Sequence, residues 1–243
     1  MTSLVRLSID REIATITFDS PHNRNALSQQ LLVEAHAAID QAEAAQVRSI
    51  ILDHSGPAFC SGADLKERAS NTSDSGRMAT LIERLGTTGR PTIAAVRGPV
   101  RAGGIGVMAA CDLVVAHTSV TFAFTEVRLG VAPAIISVPI LNRCGWAGLA
   151  AAFLTGQSFT AAEAASLHLV NQVTDNVDEA IAELVDGILA SEPNAVAATK
   201  QLLRRPMDLA AAQRLSEQLF NSPAAAEGMR AFAEKRPPRW AAP

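Results

Sequence analysis

The chain opens on two stretches in which apolar and polar positions alternate. Val5–Asp10 (VRLSID) and residues 12–19 (EIATITFD) are separated only by Arg11, so they predict a β-hairpin. Residues 20–26 (SPHNRNA) carry turn chemistry. Ser28 then caps a helix running to about Ala45, with Leu31, Leu32, Ala35 and Ile39 at helical spacing. Two continuous apolar runs, VRSIILD (47–53) and PTIAAV (91–96), predict buried strands at 49–53 and 92–96. Between them, residues 66–76 are polar and the least ordered stretch on composition, and a short helix follows to about Leu85. A helix over 103–110 and strands over 112–116 and 120–124 come next. From Ser137 onward helices dominate, with a capping box at Thr160 and Glu163 and helices over 177–190, 193–204 and 209–220. A late short strand is expected at 167–173. Strands mixed with helical crossovers give an α/β fold class.

Both buried strands lead into glycine turns, AFCSGAD (58–64) and RAGGIG (101–106), and each turn opens into a helical pattern. A chain that turns sharply on glycine and enters a helix leaves backbone N–H groups without intrahelical partners. The N–H groups of Ala63 and Gly103 are the natural candidates for two donors aimed at one oxygen, and the start of the second helix adds positive potential. Such a pair stabilises an enolate or tetrahedral oxyanion, each donor contributing about 2.7–4 kcal/mol to the transition state. The same residues also make ordinary strand-to-helix connections.

Glu126 ends an apolar strand in a context almost without other charge, which gives it a desolvation reason to shuttle protons near neutral pH. Its plainer role is a capping or ion-paired glutamate, with Arg128 as partner. Gly104-x-Gly106-x-x-Ala109, with Glu126 downstream, also matches a dinucleotide fingerprint, but the expected strand does not run directly into Gly104. Cys60 reads as a small core residue, and Arg101 as a loop cation that could also meet an anionic substrate group. Lys235, Arg236 and Arg239 suit phosphates or a solubilising tail. The five histidines fit no metal spacing, and G-x-S-x-G is absent.

At 243 residues, 48% hydrophobic and 19% charged, the chain fits one globular domain with a helical appendage. A formal net charge of −3 argues against a nucleic-acid partner. Three cysteines (Cys60, Cys111, Cys144) suit a reducing compartment. The N-terminus shows no signal h-region, and residues 129–141 are too short to span a bilayer. The expectation is a cytoplasmic protein with no membrane partner.

With these residues assembled, the chain resembles the crotonase superfamily, the enoyl-CoA hydratase/isomerase family. The resemblance runs through NRNAL, AFCSGADL, PTIAAVRGPVRAGG, ACDLVVA, FAFTEVRLGVAP, LTGQSFTAAEAASLHLVNQV and EGMRAFAEKR. It implies a crotonase-like ββα spiral core over 1–190 and a C-terminal helical trimerisation region over 191–243, assembled as a homotrimer or a dimer of trimers. It also implies an acyl-CoA thioester substrate, coenzyme A being part of the substrate and no other cofactor or metal being needed. Ala63 and Gly103 match the amides that hold the thioester oxygen, and Glu126 matches a catalytic glutamate. Ser61, Asp64, Leu65 and Lys66 match the CoA-contacting loop, Arg24 and Ala26 the nucleotide side, and Lys235 a C-terminal phosphate contact. Hydratases similar to this chain carry a second glutamate where Gly106 stands. The resemblance therefore leans to the single-glutamate isomerases, with a hydratase of atypical water activation or a non-catalytic acyl-CoA binder as alternatives.

Overall fold

The computed structural model describes residues 2–70 and 75–241. A hairpin of β1 (Val5–Asp10) and β2 (Ile13–Phe18) starts the chain, and both residues of its tight loop, Arg11 and Glu12, are left-handed at φ 44° and 63°. That geometry matches the twist of a two-residue hairpin turn. Helix α1 (Gln29–Ala44) follows, its first turn capped by Ser28 accepting from Leu31 N–H. Strand β3 (Ser49–His54) lies parallel to β2, and β4 (Thr92–Val96) lies parallel to β3. Between β3 and β4 the chain forms α2 (Leu65–Ala69) and α3 (Ser75–Thr87). Part of the polar 66–76 stretch is thus helical, and residues 71–74 lie outside the described residues.

After the short β5 (Val100–Arg101) come α4 (Gly103–Ala110), β6 (Leu113–His117) and β7 (Thr121–Ala123). Then follow α5 (Ala134–Cys144), α6 (Ala150–Thr155), β8 (Phe159–Thr160), α7 (Ala161–Ser166) and β9 (Gln172–Thr174). The chain finishes with α8 (Val177–Leu189), α9 (Pro193–Arg204), α10 (Leu209–Phe220) and α11 (Pro223–Ala233). Six strands form one sheet in the order β1-β2-β3-β4-β6-β9, parallel except at the hairpin, and β5-β7-β8 form a second, smaller sheet. The two sheets with their helical crossovers form the α/β fold class that the strand and helix pattern predicts.

Central strand β4 shows why the fold is stable. All five residues are buried: Ile93 and Ala95 face α8, while Ala94 and Val96 join the larger core under α1, α3 and α4. A strand covered on both faces reads as a continuous apolar run. Helix α4 is buried along all eight residues, so it is the axis on which the other layers pack.

Two expectations need correction. The late strand is β9 at 172–174, not 167–173: Leu169 and Val170 are fully buried core residues following α7, and His168 adopts a left-handed φ of 62° that ends the helix. Arg101 is not a loop cation. Its guanidinium donates to the carbonyls of Val100 and Thr121 and to Thr121 Oγ1, tying β5 to β7.

The last helices are less buried. Leu203, Leu209, Phe220 and Phe232 are 83, 85, 68 and 87% exposed. Among the described residues no helix is long and apolar enough to cross a membrane.

Candidate active site

The first glycine turn is built by positive backbone angles and by a segment far away in sequence. Arg24 and Asn25 adopt left-handed φ of 56° and 54°. The buried Asn25 side chain accepts from Ser20 N–H and donates to the carbonyls of Ser55 and Ala58. That amide holds the loop from 58 onward against residues 20–27. Ser61 N–H donates to Arg24 O at 3.0 Å, Ser61 Oγ to Asn23 O at 3.1 Å, and Leu27 N–H to Gly62 O at 2.8 Å. Asp64 then accepts from the N–H groups of Lys66 and Glu67, capping α2.

At the tip of this turn Gly62 has φ 94°, a conformation that favours glycine. A Cβ there would lie 2.9 Å from Ala102 Cβ, 3.3 Å from Arg101 O and 3.6 Å from Gly103 N. The two turns therefore touch backbone to backbone. Ala102 itself is held at φ 47°, ψ −124°, with its N–H donating to Ala123 O, so the chain is twisted just before Gly103 begins α4. The N–H groups of Ala63 and Gly103 have no acceptor among the described residues. A Cβ on Gly103 would lie 3.8 Å from Ala63 N, which puts the two amides side by side.

Glu126 sits in a short 3-10 turn after β7, with Val131 N–H donating to its carbonyl at 3.1 Å. Its Oε2 is buried with no hydrogen-bond partner among the described residues. Burial pushes its pKa above the ordinary carboxylate value, and a hydrogen bond from its own N–H offsets this only in part. Arg128, the ion-pair candidate, turns away and donates to Thr155 O at 3.0 Å.

Ala63, Gly103 and Glu126 line one cavity of about 490 Å³. Ser61 and Leu65 reach its wall, as do Arg68, Met78 from α3, and Leu129, Pro133 and Ile136. Arg24, Ala26, Asp64 and Lys66 are not among its lining residues, although Arg24 O accepts from Ser61 N–H and Ala26 precedes Leu27, whose N–H donates to Gly62 O. Lys235 lies just past α11 at φ 54° and does not line the cavity either.

Gly106 and Gly104 explain the dinucleotide-like spacing without a nucleotide. A Cβ on Gly104 would lie 2.6 Å from Cys60 Cβ, and one on Gly106 would lie 2.4 Å from Ile136 Cγ2. Both glycines serve close packing of α4. Cys60 is a fully buried thiol whose pKa is pushed up to about 12, which leaves it unreactive as a nucleophile. Ile136 and Asn25 are not legible in the sequence as site residues. Each acts on a partner far along the chain, Ile136 on Gly106 and Asn25 on Ser55 and Ala58, beyond the reach of local periodicity.

Residues 8–243 match the family model described as enoyl-CoA hydratase/isomerase. A Thermus thermophilus protein bearing an enoyl-CoA hydratase name is 35% identical, with 94% of this chain and 97% of that protein covered. The mevalonyl-coenzyme A hydratase sidH of Aspergillus fumigatus is 33% identical, with coverage of 94% and 91%. The crystal structure of an enoyl-CoA hydratase from Mycobacterium smegmatis superposes with a TM-score of 0.90 at 31% identity, covering 98% of this chain and 99% of that one.

Proposed function

We propose, on the premise that this chain belongs to the enoyl-CoA hydratase/isomerase family, that it binds an acyl-CoA thioester in the Glu126 cavity and moves a proton along the acyl chain. One observation carries the reading: a single unpartnered carboxylate shares a cavity with two free amides, while Ile136 fills the space beside Gly106.

The thioester carbonyl oxygen accepts from the N–H groups of Ala63 and Gly103. Glu126 as carboxylate takes a proton from the α-carbon of a 3-enoyl thioester. The electron pair moves onto the carbonyl oxygen as a dienolate, which the two donors stabilise. The protonated Glu126 then returns the proton to the γ-carbon, and a 2-enoyl thioester forms with no net change in atoms. One carboxylate suffices because the same group gives back what it takes. Arg24, Ala26, Ser61, Asp64, Leu65, Lys66 and Lys235 are proposed to contact the CoA portion. No metal or separate cofactor enters this scheme.

The hydratase names of the relatives favour a second reading, addition of water to a 2-enoyl thioester. That reaction needs a group to orient and deprotonate water, and glycine at 106 does neither. Mass-spectrometric product analysis with paired 2-enoyl and 3-enoyl thioesters separates the two. Isomerised product lost in Glu126→Gln supports the first reading, and hydrated product without isomerisation supports the second. Binding without turnover on either series would make the protein an acyl-CoA binder and overturn both. The exposed apolar side chains of α9, α10 and α11 support an assembly of several copies, which light scattering on the purified chain would measure.

A further inference from the structure

A second cavity, about 670 Å³, lies between α3, α5 and α9. Its wall includes Ala79, Ile82, Ala110, Val138 and Pro139. Ile135 lines both this cavity and the one that holds Glu126, so one side chain on the first turn of α5 is their shared wall. The helix is weakened at that place. Pro139 stands inside α5 and has no N–H, so the carbonyl of Ile135, four residues earlier, lacks its intrahelical partner. The partition is the aliphatic side chain of a residue whose own carbonyl has no helical donor, on a turn held by Ser137 N–H donating to Pro133 O and Ser137 Oγ to Ala134 O.

The charges around the second cavity are already taken or stand at its rim. Lys200 Nζ donates to Asp112 Oδ2 at 2.8 Å and to the carbonyls of Leu85 and Arg90. Arg204 is held by Asp112 Oδ1 and Ala110 O. Glu83 and Arg205 are exposed, with opposite charges. What the interior offers is apolar surface that meets the thioester cavity at Ile135.

We propose that Ile135 is a gate, and that the acyl tail of the thioester passes it to lie in the second cavity against Ile82, Val138 and Pro139. This rests on the acyl-CoA reading above and adds the substrate class: thioesters whose unbranched chain outruns the first cavity. Val138 is 62% exposed, so a larger side chain there obstructs the second cavity without touching the first or straining the core.

The test uses the full-length protein and saturated acyl-CoA thioesters of increasing chain length, which bind without reacting. Wild-type affinity rises as the chain lengthens past the first cavity. Val138→Trp removes that gain, about tenfold for two methylenes returned to water, and leaves the shortest thioesters unchanged. Ile135→Ala, which opens the gate, preserves or strengthens long-chain binding. Affinity independent of length, or long-chain binding unaffected by Val138→Trp, overturns the proposal while leaving the thioester reading intact. A change in oligomeric state with Val138→Trp and no change in length preference assigns the groove to a second copy instead, and also overturns it. Failure of every thioester to bind overturns both readings.

Discussion

A Cβ on Gly106 would lie 2.4 Å from Ile136 Cγ2 and 2.6 Å from Ile136 Cβ, so α4 and α5 meet where one residue has no side chain and the other fills the gap. Adding even a methyl group at 106 must move Ile136. Gly106→Ala is expected to cost about 1–3 kcal/mol through overpacking, read as a lower denaturant midpoint. Ile136→Ala alone is expected to cost about 2–5 kcal/mol by leaving a cavity. The double variant should lose less than the sum, since each change makes room for the other. Strict additivity would mean that the two side-chain positions do not compete.

Gly62 lies against the second turn, where a Cβ would be 3.6 Å from Gly103 N. Gly62→Ala places a β-carbon at φ 94° and against Ala102 Cβ, so backbone strain of about 1–3 kcal/mol is expected. The larger effect should be kinetic. Displacing Ala102 shifts the Gly103 amide, and on the proposed mechanism losing one of the two donors lowers turnover by about 10²–10³-fold. Steady-state kinetics checks this: a variant that folds and keeps wild-type turnover would remove Gly62 from the positioning of the site.

How much of the fold and site is visible in the sequence depends on how local the cause is. The hairpin, β4 and α4 follow from alternation or continuous burial within one segment, and their ends are nearly legible from it. The region 129–141 hides α5 because Pro133 and Pro139 suggest breaks, although Pro133 immediately precedes the helix and Pro139 is accommodated inside it. Helix α11 is equally hidden, because its alanine-rich start carries little periodicity. Arg101 reads as a loop cation because its acceptors lie on Thr121, which only folding brings alongside. The free amides and Glu126 are legible as types and spacing. The filling of the Gly106 space is not, since nothing near 106 in sequence names Ile136.

Arg48 is buried and donates to the carbonyls of Ile188, Leu189, Ser191 and Trp240. One guanidinium thereby satisfies carbonyls at the C-terminal end of α8 and ties the C-terminal segment to the residue that precedes β3. Arg48→Met keeps the aliphatic volume and removes the donors. A loss of about 1.5–3 kcal/mol is expected from leaving carbonyls unpaired. Limited proteolysis should cut first beyond residue 190, and cleavage spread evenly over the chain would argue against an anchoring role.

The buried carboxyl of Glu126 makes the site pH-dependent in a direction that can be worked out. Burial raises its folded-state pKa above the ordinary value of 4.5, so between 4.5 and the raised value the folded chain binds more protons than the unfolded one. Stability contributed by this group is therefore complete below 4.5 and falls as pH rises through the folded pKa. Glu126→Gln removes a charge that the site disfavours, and the variant should melt at a higher temperature than wild type at pH 7. That advantage should shrink as the pH is lowered toward 4.5, where wild type is neutral as well. Activity runs the other way. Proton abstraction needs the carboxylate, so the acid limb of kcat/KM should fall above the range of an ordinary glutamate. Thermal melts of both proteins from about pH 4 to 8, with a wild-type pH–rate profile, test the two halves together. A variant less stable than wild type at pH 7 would show that Glu126 is held by favourable partners in the folded chain, and it would lose its standing as the poised base.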